Sequence, residues 1–261
     1  MDTLAYVFAG FGVGTLVGLT GVGGGSLMTP LLIFLFGIAP VTAVGTDLMF
    51  ASITKATGIW HHRRRGNIRW DIAGLMLAGS LPTAIVVVYY IERFKDTGAT
   101  LNLLIHSGLG IALILTALAL LLKSRVQDMG RAIKGWVPNW RSLRPAATIG
   151  AGVVLGILVP ISSIGAGALG AAMLLFLYPG LPTRSIVGTD IAHAVPLTLV
   201  AGLGHAHMGT VDYSMLMILL IGSLPGIYLG SHLTAKVPER VIRPLLASVL
   251  ILVGVRFMFA A

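Results

Sequence analysis

Val44-Gly45-Thr46-Asp47 returns as Val187-Gly188-Thr189-Asp190, at an offset of 143 residues. Gly79-Ser80-Leu81-Pro82 returns as Gly222-Ser223-Leu224-Pro225 at the same offset. Two separate matches in one register are the mark of an internal duplication, which has to be recognised before any single segment is interpreted. The sequence therefore predicts two structural repeats.

Composition points to a membrane protein. Only 10% of the residues are charged and 56% are hydrophobic, whereas a soluble domain usually has about 25% charged residues. The apolar runs at 70–91, 100–122 and 213–234 are each close to the roughly 20 residues with which a helix crosses a bilayer. None alternates in the manner of a barrel strand. The sequence predicts an all-α polytopic membrane protein.

Charge and cysteine content exclude several other classes of protein. The net charge of +9 does not indicate nucleic-acid binding, because the cations lie in short loops between apolar spans, where they set orientation. The chain has no cysteine, which excludes disulfides, thiolate metal sites and redox centres. The start, Met1-Asp2-Thr3, has no basic residue and does not resemble a cleaved signal peptide.

A glycine-rich interruption divides the first apolar stretch, 4–37. Gly21-Val22-Gly23-Gly24-Gly25 separates a helix over about 4–20 from one over about 26–37. Twelve residues reach only about 18 Å, well short of the roughly 30 Å hydrocarbon core. We therefore predict a broken, re-entrant helix pair. Three spans follow it, at about 41–60, 70–91 and 100–122.

The second half repeats this plan. Ser163-Ile164-Gly165-Ala166-Gly167 corresponds to the first glycine-rich segment at an offset of 142. We predict a broken pair at about 146–161 and 167–178, then spans at about 184–203, 213–234 and 241–259. The resulting organisation is a first repeat (1–122), a basic cytoplasmic linker (123–144) and a second repeat (145–261).

The distribution of cations tests this division. If each broken pair enters and leaves on one side, 14 of the 18 lysines and arginines share a face, in the loops 61–69, 123–144, 178–185 and 235–243. The positive-inside rule makes that face cytoplasmic. It follows that the repeats have inverted topology and that both termini are extracytoplasmic. Trp136 and Trp140 in the linker indicate a segment at the membrane interface.

The two interruptions supply a candidate anion site. A broken helix leaves backbone amides free, which the membrane tolerates only beside protein or a wet cavity. Amides and the helix dipole at an N-terminus suit an anion. We predict a substrate cradle near the midplane, formed by Gly23, Gly24, Gly25, Ser26, Ser162, Ser163, Gly165 and Gly167. Close helix packing by small residues is the alternative.

A carboxylate recurs in the span that follows the broken pair in each half. Asp47 follows Thr46, and Asp190 follows Thr189. A carboxylate in a membrane span costs roughly 2.5–3.5 kcal/mol or more, so it needs a role. Proton coupling, a structural bond to the freed amides of the broken pair, and direct contact with a cation or substrate stay open. The two threonines are candidate substrate ligands.

Lys55 and His193 complete the set of candidate site residues. Lys55 is placed inside a span, where it either attracts an anion or extends toward the inner surface. His193 lies three residues after Asp190 and either relays protons or packs as a hydrogen-bonded core residue. His61, His62, His205 and His207 have no acidic or cysteine partner close in sequence, and we predict no metal and no cofactor.

These motifs together resemble the TauE/SafE family of bacterial and archaeal membrane permeases. The resemblance rests on Gly21–Gly25, Pro30, Val44–Asp47, the basic loop ending in Gly66-Asn67-Ile68, and Gly79–Pro82. It covers essentially the whole chain, although Ser163 and Ala166 replace two glycines of the motif in the second half. The resemblance implies a transporter of sulfite, organosulfonates or related oxyanions in a prokaryotic inner membrane, of a family that is named for export and often drawn as proton-driven.

The sequence thus predicts a secondary transporter of a small anion that works by alternating access, with the lipid bilayer as its surroundings. An anion channel of the same fold is the alternative. An intramembrane enzyme has no support, since the chain has no His-Glu-x-x-His or Gly-x-Ser-x-Gly motif and no cysteine nucleophile. The anion, the direction of flux, proton coupling and homo-oligomerisation stay open.

Overall fold

The structure, a computed structural model, describes residues 2–20, 25–94, 98–137, 139–233 and 239–259. Within these ranges the chain forms eleven helices and no strand. The first half contains α1 (Asp2–Thr20), α2 (Gly25–Phe36), α3 (Pro40–Arg64), α4 (Trp70–Phe94) and α5 (Gly98–Leu121). Helix α6 (Lys123–Trp136) lies between the halves, and the second half contains α7 (Trp140–Ser162), α8 (Ala168–Leu177), α9 (Thr183–His207), α10 (Tyr213–Leu233) and α11 (Glu239–Phe259).

The all-helical membrane architecture is confirmed. Among the described residues, α4, α7, α9 and α10 are each long and apolar enough to cross a membrane. A fifth span is present if the bent pair formed by α5 and α6 is counted as one. The short helices α2 and α8 have 12 and 10 residues, so at about 1.5 Å per residue neither crosses the hydrocarbon core alone.

The linker between the repeats is itself helical. Helix α6 bends away from α5 by 79°, so the two helices lie nearly at right angles. Trp136 at its end is 87% exposed, whereas Trp140 is buried and its ring meets that of Phe176 edge-on. Of the two tryptophans that the sequence suggests for the interface, only Trp136 is exposed, because α7 begins at Trp140 and brings that side chain into the protein.

The first helix of each half packs closely along the fourth helix of the other half. Along α1 and α10, Gly10 faces Leu219 and Gly14 faces Ser223, so these helices run parallel. The same relation joins α7 to α4, where Gly152 faces Met76 and Gly156 faces Ser80. Added Cβ atoms at these glycines would overlap the facing backbone. Small residues here let the helix axes approach closely.

The third helices, α3 and α9, cross each other in the middle of the fold. Gly45 near the start of α3 lies against His205 near the end of α9, and Gly58 lies against Ile191. The two helices are therefore antiparallel. This is the arrangement expected of repeats with opposite orientation, although their topology relative to the membrane stays a prediction. The short helices α2 and α8 pack against α3 and α9 respectively, beside the two buried carboxylates.

Candidate functional site

The second broken pair consists of α7 and α8, which are joined by an irregular segment. The backbone turns at Ser163 (φ 57°), Gly165 (φ 114°) and Gly167 (φ 142°), and the last two conformations strongly favour glycine. The Ser162 hydroxyl accepts a hydrogen bond from the Ile164 amide at 3.1 Å. The Ser163 hydroxyl is buried and has no hydrogen-bond partner. It nevertheless interacts with the Asp47 carboxylate, so Ser163 faces the buried carboxylates from the second half.

The first broken pair is described only in part. Gly23 and Gly24 lie outside the described residues, so their predicted role as an anion cradle stays a prediction. Helix α2 begins at Gly25, followed by Ser26, which agrees with a half-helix that starts at the glycine-rich segment. The side-chain surroundings of Gly25 and Ser26 also lie outside the description.

Asp47 is fully buried and is bound by Thr29 of helix α2. Its Oδ2 atom accepts a hydrogen bond from the Thr29 hydroxyl at 2.5 Å and one from the Thr29 amide at 3.2 Å. Its Oδ1 atom has no partner. This contact joins α2 to α3, and the role of Asp47 in coupling or in structure stays a prediction.

Asp190 occupies the corresponding place in the second half but has different neighbours. Its Oδ1 atom lies directly against Gly170 in the first turn of α8, where no side chain would fit. The residue that corresponds to Thr29 is Ala172, which has no hydroxyl to donate. Among the described residues, no hydrogen bond reaches the buried Asp190 carboxylate. The two carboxylates are therefore equivalent in sequence and different in surroundings.

Lys55 connects the two halves of the site. Its side chain is buried, and Nζ donates a hydrogen bond at 2.6 Å to the carbonyl oxygen of Ala166, between α7 and α8. The ammonium also interacts electrostatically with both Asp190 and Asp47. The side chain therefore points into the protein rather than toward the inner surface. The residue corresponding to Lys55 in the second half is Thr198, so this cation is present once.

His193 lies within the same cluster of buried polar groups. Its Nε2 atom is 2.9 Å from the Ser80 hydroxyl on α4, and its Nδ1 atom has no partner. The imidazole also interacts electrostatically with Lys55. The Ser80 contact gives His193 a structural role, and the free Nδ1 leaves one ring nitrogen that could bind or pass on a proton.

Thr46 and Thr189 have matched positions at the two ends of the α3–α9 crossing. The Thr46 hydroxyl accepts a hydrogen bond at 3.0 Å from the Asp212 amide, just before α10. The Thr189 hydroxyl accepts one at 3.0 Å from the Arg69 amide, just before α4. Both hydroxyls thus bind backbone amides that no helical carbonyl satisfies. Their predicted role as substrate ligands stays a prediction.

His205 makes buried structural contacts that the sequence did not predict. It is fully buried, and its ring nitrogens lie 3.0 Å from the Pro160 carbonyl oxygen and 3.0 Å from the Thr210 hydroxyl. His205 therefore provides a hydrogen-bond donor for the Pro160 carbonyl near the C-terminal end of α7. Across the described part of the chain, no group of three or more His, Asp or Glu side chains is placed to hold a metal ion.

The sequence places this architecture among known membrane proteins. Residues 6–257 match the family described as sulfite exporter TauE/SafE. The chain belongs to the TauE/SafE family. It is 38% identical to the probable membrane transporter protein YjnA of Bacillus subtilis, over 97% of this chain and 99% of that protein.

More distant relatives have the same kind of name. YdhB of Bacillus subtilis, also called a probable membrane transporter protein, is 29% identical over 89% of this chain and 91% of its own length. A probable membrane transporter protein of Methanocaldococcus jannaschii is 26% identical over 95% and 92% of the two chains. No solved structure matches the chain. The chain is therefore a TauE/SafE multi-pass membrane transporter.

Proposed function

We propose that this TauE/SafE transporter moves a small oxyanion, such as sulfite or an organosulfonate, out of the cell by alternating access. The observation that supports this most directly is the Lys55 ammonium, which is buried beside the irregular segment between α7 and α8. A cation in a membrane span is costly and calls for a function. An anionic substrate would supply the negative charge that this ammonium can bind.

The charges of the cluster favour protonation of one carboxylate when the anion binds. Lys55 carries one positive charge, whereas Asp47 and Asp190 carry two negative charges when both are ionised. An anion added to that arrangement would meet excess negative charge in a medium of low dielectric constant. A proton on one carboxylate removes part of this repulsion. We therefore propose proton-coupled transport, with the anion bound near Lys55, Ser163 and the amides of the segment 163–167.

Alternating access follows from the two-repeat construction. The cluster lies at the crossing of α3 and α9, between two short helices that correspond to each other in the two halves. Such folds commonly expose a fixed midplane site to each side in turn by moving one bundle against the other. The inverted topology, the inner membrane and the extracytoplasmic termini belong to this proposal. The predicted boundaries of the two repeats and the linker, after residues 122 and 144, are also part of this proposal.

Transport by purified protein in liposomes tests the proposal. The panel consists of sulfite, sulfate, thiosulfate, sulfoacetate and acetate, each under an imposed pH gradient. We expect saturable, pH-gradient-driven transport of one or more of the sulfur oxyanions, and counterflow of labelled substrate against unlabelled substrate. Conductance that does not saturate, without counterflow, would favour the anion channel. Absence of flux with every anion would contradict the proposed substrate class.

A further inference from the structure

A second cluster of cations lies outside the central site, around the loop that joins α8 to α9. One cavity of about 200 Å³ is lined by Arg69, Arg144, Tyr178, Pro179, Gly180 and Leu181. A second cavity, of about 530 Å³, shares Pro179, Gly180 and Leu181 with the first and is also lined by Gln127, Arg131 and Pro182. Three arginines from three different parts of the chain thus converge on one short loop.

Arg144 is the cation in this cluster that has no carboxylate. Its guanidinium lies over the Tyr178 ring at 5.0 Å from the centroid. The Tyr178 hydroxyl is held 2.9 Å from the Thr148 hydroxyl. The Nε atom of Arg144 is buried and has no hydrogen-bond partner, and no salt bridge to it occurs among the described residues. The stacked ring fixes the guanidinium while its charge stays uncompensated.

Arg69 faces the same cavity and is already oriented. Its Nε and one terminal nitrogen bind the two oxygens of Asp71 at 3.0 Å and 2.6 Å. This hydrogen bonding raises the pKa of Arg69, which therefore stays charged at any physiological pH. The other terminal nitrogen, Nη1, is not used in that pair and can donate to a ligand.

The loop that carries the cavity is tied to its neighbours. Gln127 of α6 donates a hydrogen bond at 3.0 Å to the carbonyl oxygen of Pro179. Arg131 of the same helix is bound to Asp128 at 3.1 Å. The loop also contains Pro179 and Pro182, whose fixed φ angles reduce its freedom. The cavity is therefore a shaped site and not a single cation on a mobile surface.

We propose that the cavity lined by Arg69, Arg144 and Tyr178 is a second anion site, separate from Lys55, that binds a tetrahedral oxyanion group such as a phosphate or a sulfonate. The Nη1 atom of Arg69 and the Arg144 guanidinium can each donate charge-assisted hydrogen bonds to the oxygens of such a group. The site is present once, because the residue corresponding to Arg69 in the other repeat is Asp212. It lies among the basic loops, which are the predicted cytoplasmic ones.

The second site has a direct link to the central one. The Arg69 amide binds the Thr189 hydroxyl, and Thr189 precedes Asp190 in α9. The α8–α9 loop also leads into the same helix. Arg69, which would hold the anion through its side chain, is thus hydrogen-bonded through its backbone amide to the helix that carries Asp190. Anions would collect here, on the side from which an exporter takes its substrate.

Direct binding tests this site without depending on transport. Inorganic phosphate is titrated calorimetrically into the Lys55→Gln protein in phosphatidylcholine nanodiscs, which removes the central cation and keeps the second site. The double variant Arg69→Gln/Arg144→Gln in the same background should weaken phosphate binding at least about tenfold. Arg93→Gln is the control, because Arg93 also lies over a tyrosine ring, that of Tyr89, but does not line either cavity.

The outcomes separate the two proposals and the two sources of the ligand. Phosphate binding that survives Lys55→Gln and is lost in the double variant supports the second site, even if every transport assay fails. Equal loss in Arg93→Gln, or no loss in the double variant, overturns it. Phosphate displaced by phosphatidylglycerol in the nanodisc identifies a lipid headgroup as the ligand. Phosphate binding that is unaffected by this lipid identifies a free oxyanion.

Discussion

The ammonium nitrogen of Lys55 lies 2.6 Å from the carbonyl oxygen of Ala166, 111 residues further along the chain. Lys55 is on α3 of the first repeat, and Ala166 is in the irregular segment of the second. This contact closes one side of the buried cluster that contains Asp190. Because the ammonium has three N–H donors and this contact uses one, Lys55 can bind an anion beside the carbonyl or in its place.

Helix contacts through small residues set the first prediction. A Cβ at Gly79 would overlap the Ile149 carbonyl of α7, whereas nothing lies within 4 Å of the same position at Gly74 on the same helix. Gly79→Ala should lower the free energy of unfolding by about 1–3 kcal/mol through overpacking. Gly74→Ala should be neutral or stabilising, because alanine favours helix over glycine. Unfolding in mixed micelles titrated with SDS compares the two, and equal effects would contradict the close contact.

The Thr29–Asp47 contact sets the second prediction. Thr29→Val keeps the shape of the side chain and removes the hydroxyl that donates to Asp47. The loss should be about 1.5–3 kcal/mol in the free energy of unfolding, the range for hydrogen bonds to charged groups. Thr57→Val, an exposed site on α3 whose hydroxyl binds only its own helix, is the control. A wild-type melting temperature for Thr29→Val would show that the bond contributes nothing.

The threonines of the repeated motif set the third prediction. Thr46→Val and Thr189→Val each remove the acceptor of one backbone amide, so each should destabilise the protein by about 0.5–1.5 kcal/mol. The two effects should be similar, because the two contacts correspond in the repeats. KM for the transported anion should stay within about twofold of wild type. A large rise in KM at unchanged stability would instead make these hydroxyls substrate ligands, as the sequence suggests.

The difference between the carboxylates sets the fourth prediction. Two donors from Thr29 fix Asp47 as an acceptor, whereas no hydrogen bond reaches Asp190 in the described part of the chain. We therefore expect Asp190 to take up the coupled proton. Asp190→Asn should abolish transport driven by a pH gradient and keep exchange of labelled for unlabelled anion.

Asp47→Asn is the comparison for that experiment. It should lower stability and retain measurable pH-gradient-driven transport in the folded fraction. Both variants are assayed in proteoliposomes at equal protein content, with a pH-sensitive dye inside the vesicles. Proton movement that persists in Asp190→Asn and disappears in Asp47→Asn would reverse the assignment of the two carboxylates.

Much of the fold is predictable because the apolar runs are long and the breaks are marked by glycine. The predicted span at 70–91 is α4 (Trp70–Phe94), and the predicted break after residue 161 is the end of α7 at Ser162. Helix α6 is harder to recognise. Its polar composition indicates an interfacial segment. Its 14 residues contain no pattern that predicts the 79° bend away from α5.

The contacts within the site are not readable from the sequence, since they join residues far apart. Lys55 is identifiable as an intramembrane cation, but a partner 111 residues away leaves no local pattern. The same holds for His205, whose bond to Pro160 spans two helices. A signal was present for the asymmetry of the carboxylates: aligning the repeats pairs Thr29 with Ala172, which predicts different donors around Asp47 and Asp190.

The role of Lys55 is the central claim, and its replacement tests it most directly. Lys55→Gln and Thr198→Val change corresponding positions in the two repeats, and only the first removes a charge. Initial rates of sulfite transport are measured in proteoliposomes under a fixed pH gradient, after size exclusion shows that each variant is folded. The account predicts that Lys55→Gln lowers the rate at least about tenfold and that Thr198→Val stays within about twofold of wild type. Wild-type transport by folded Lys55→Gln would contradict it.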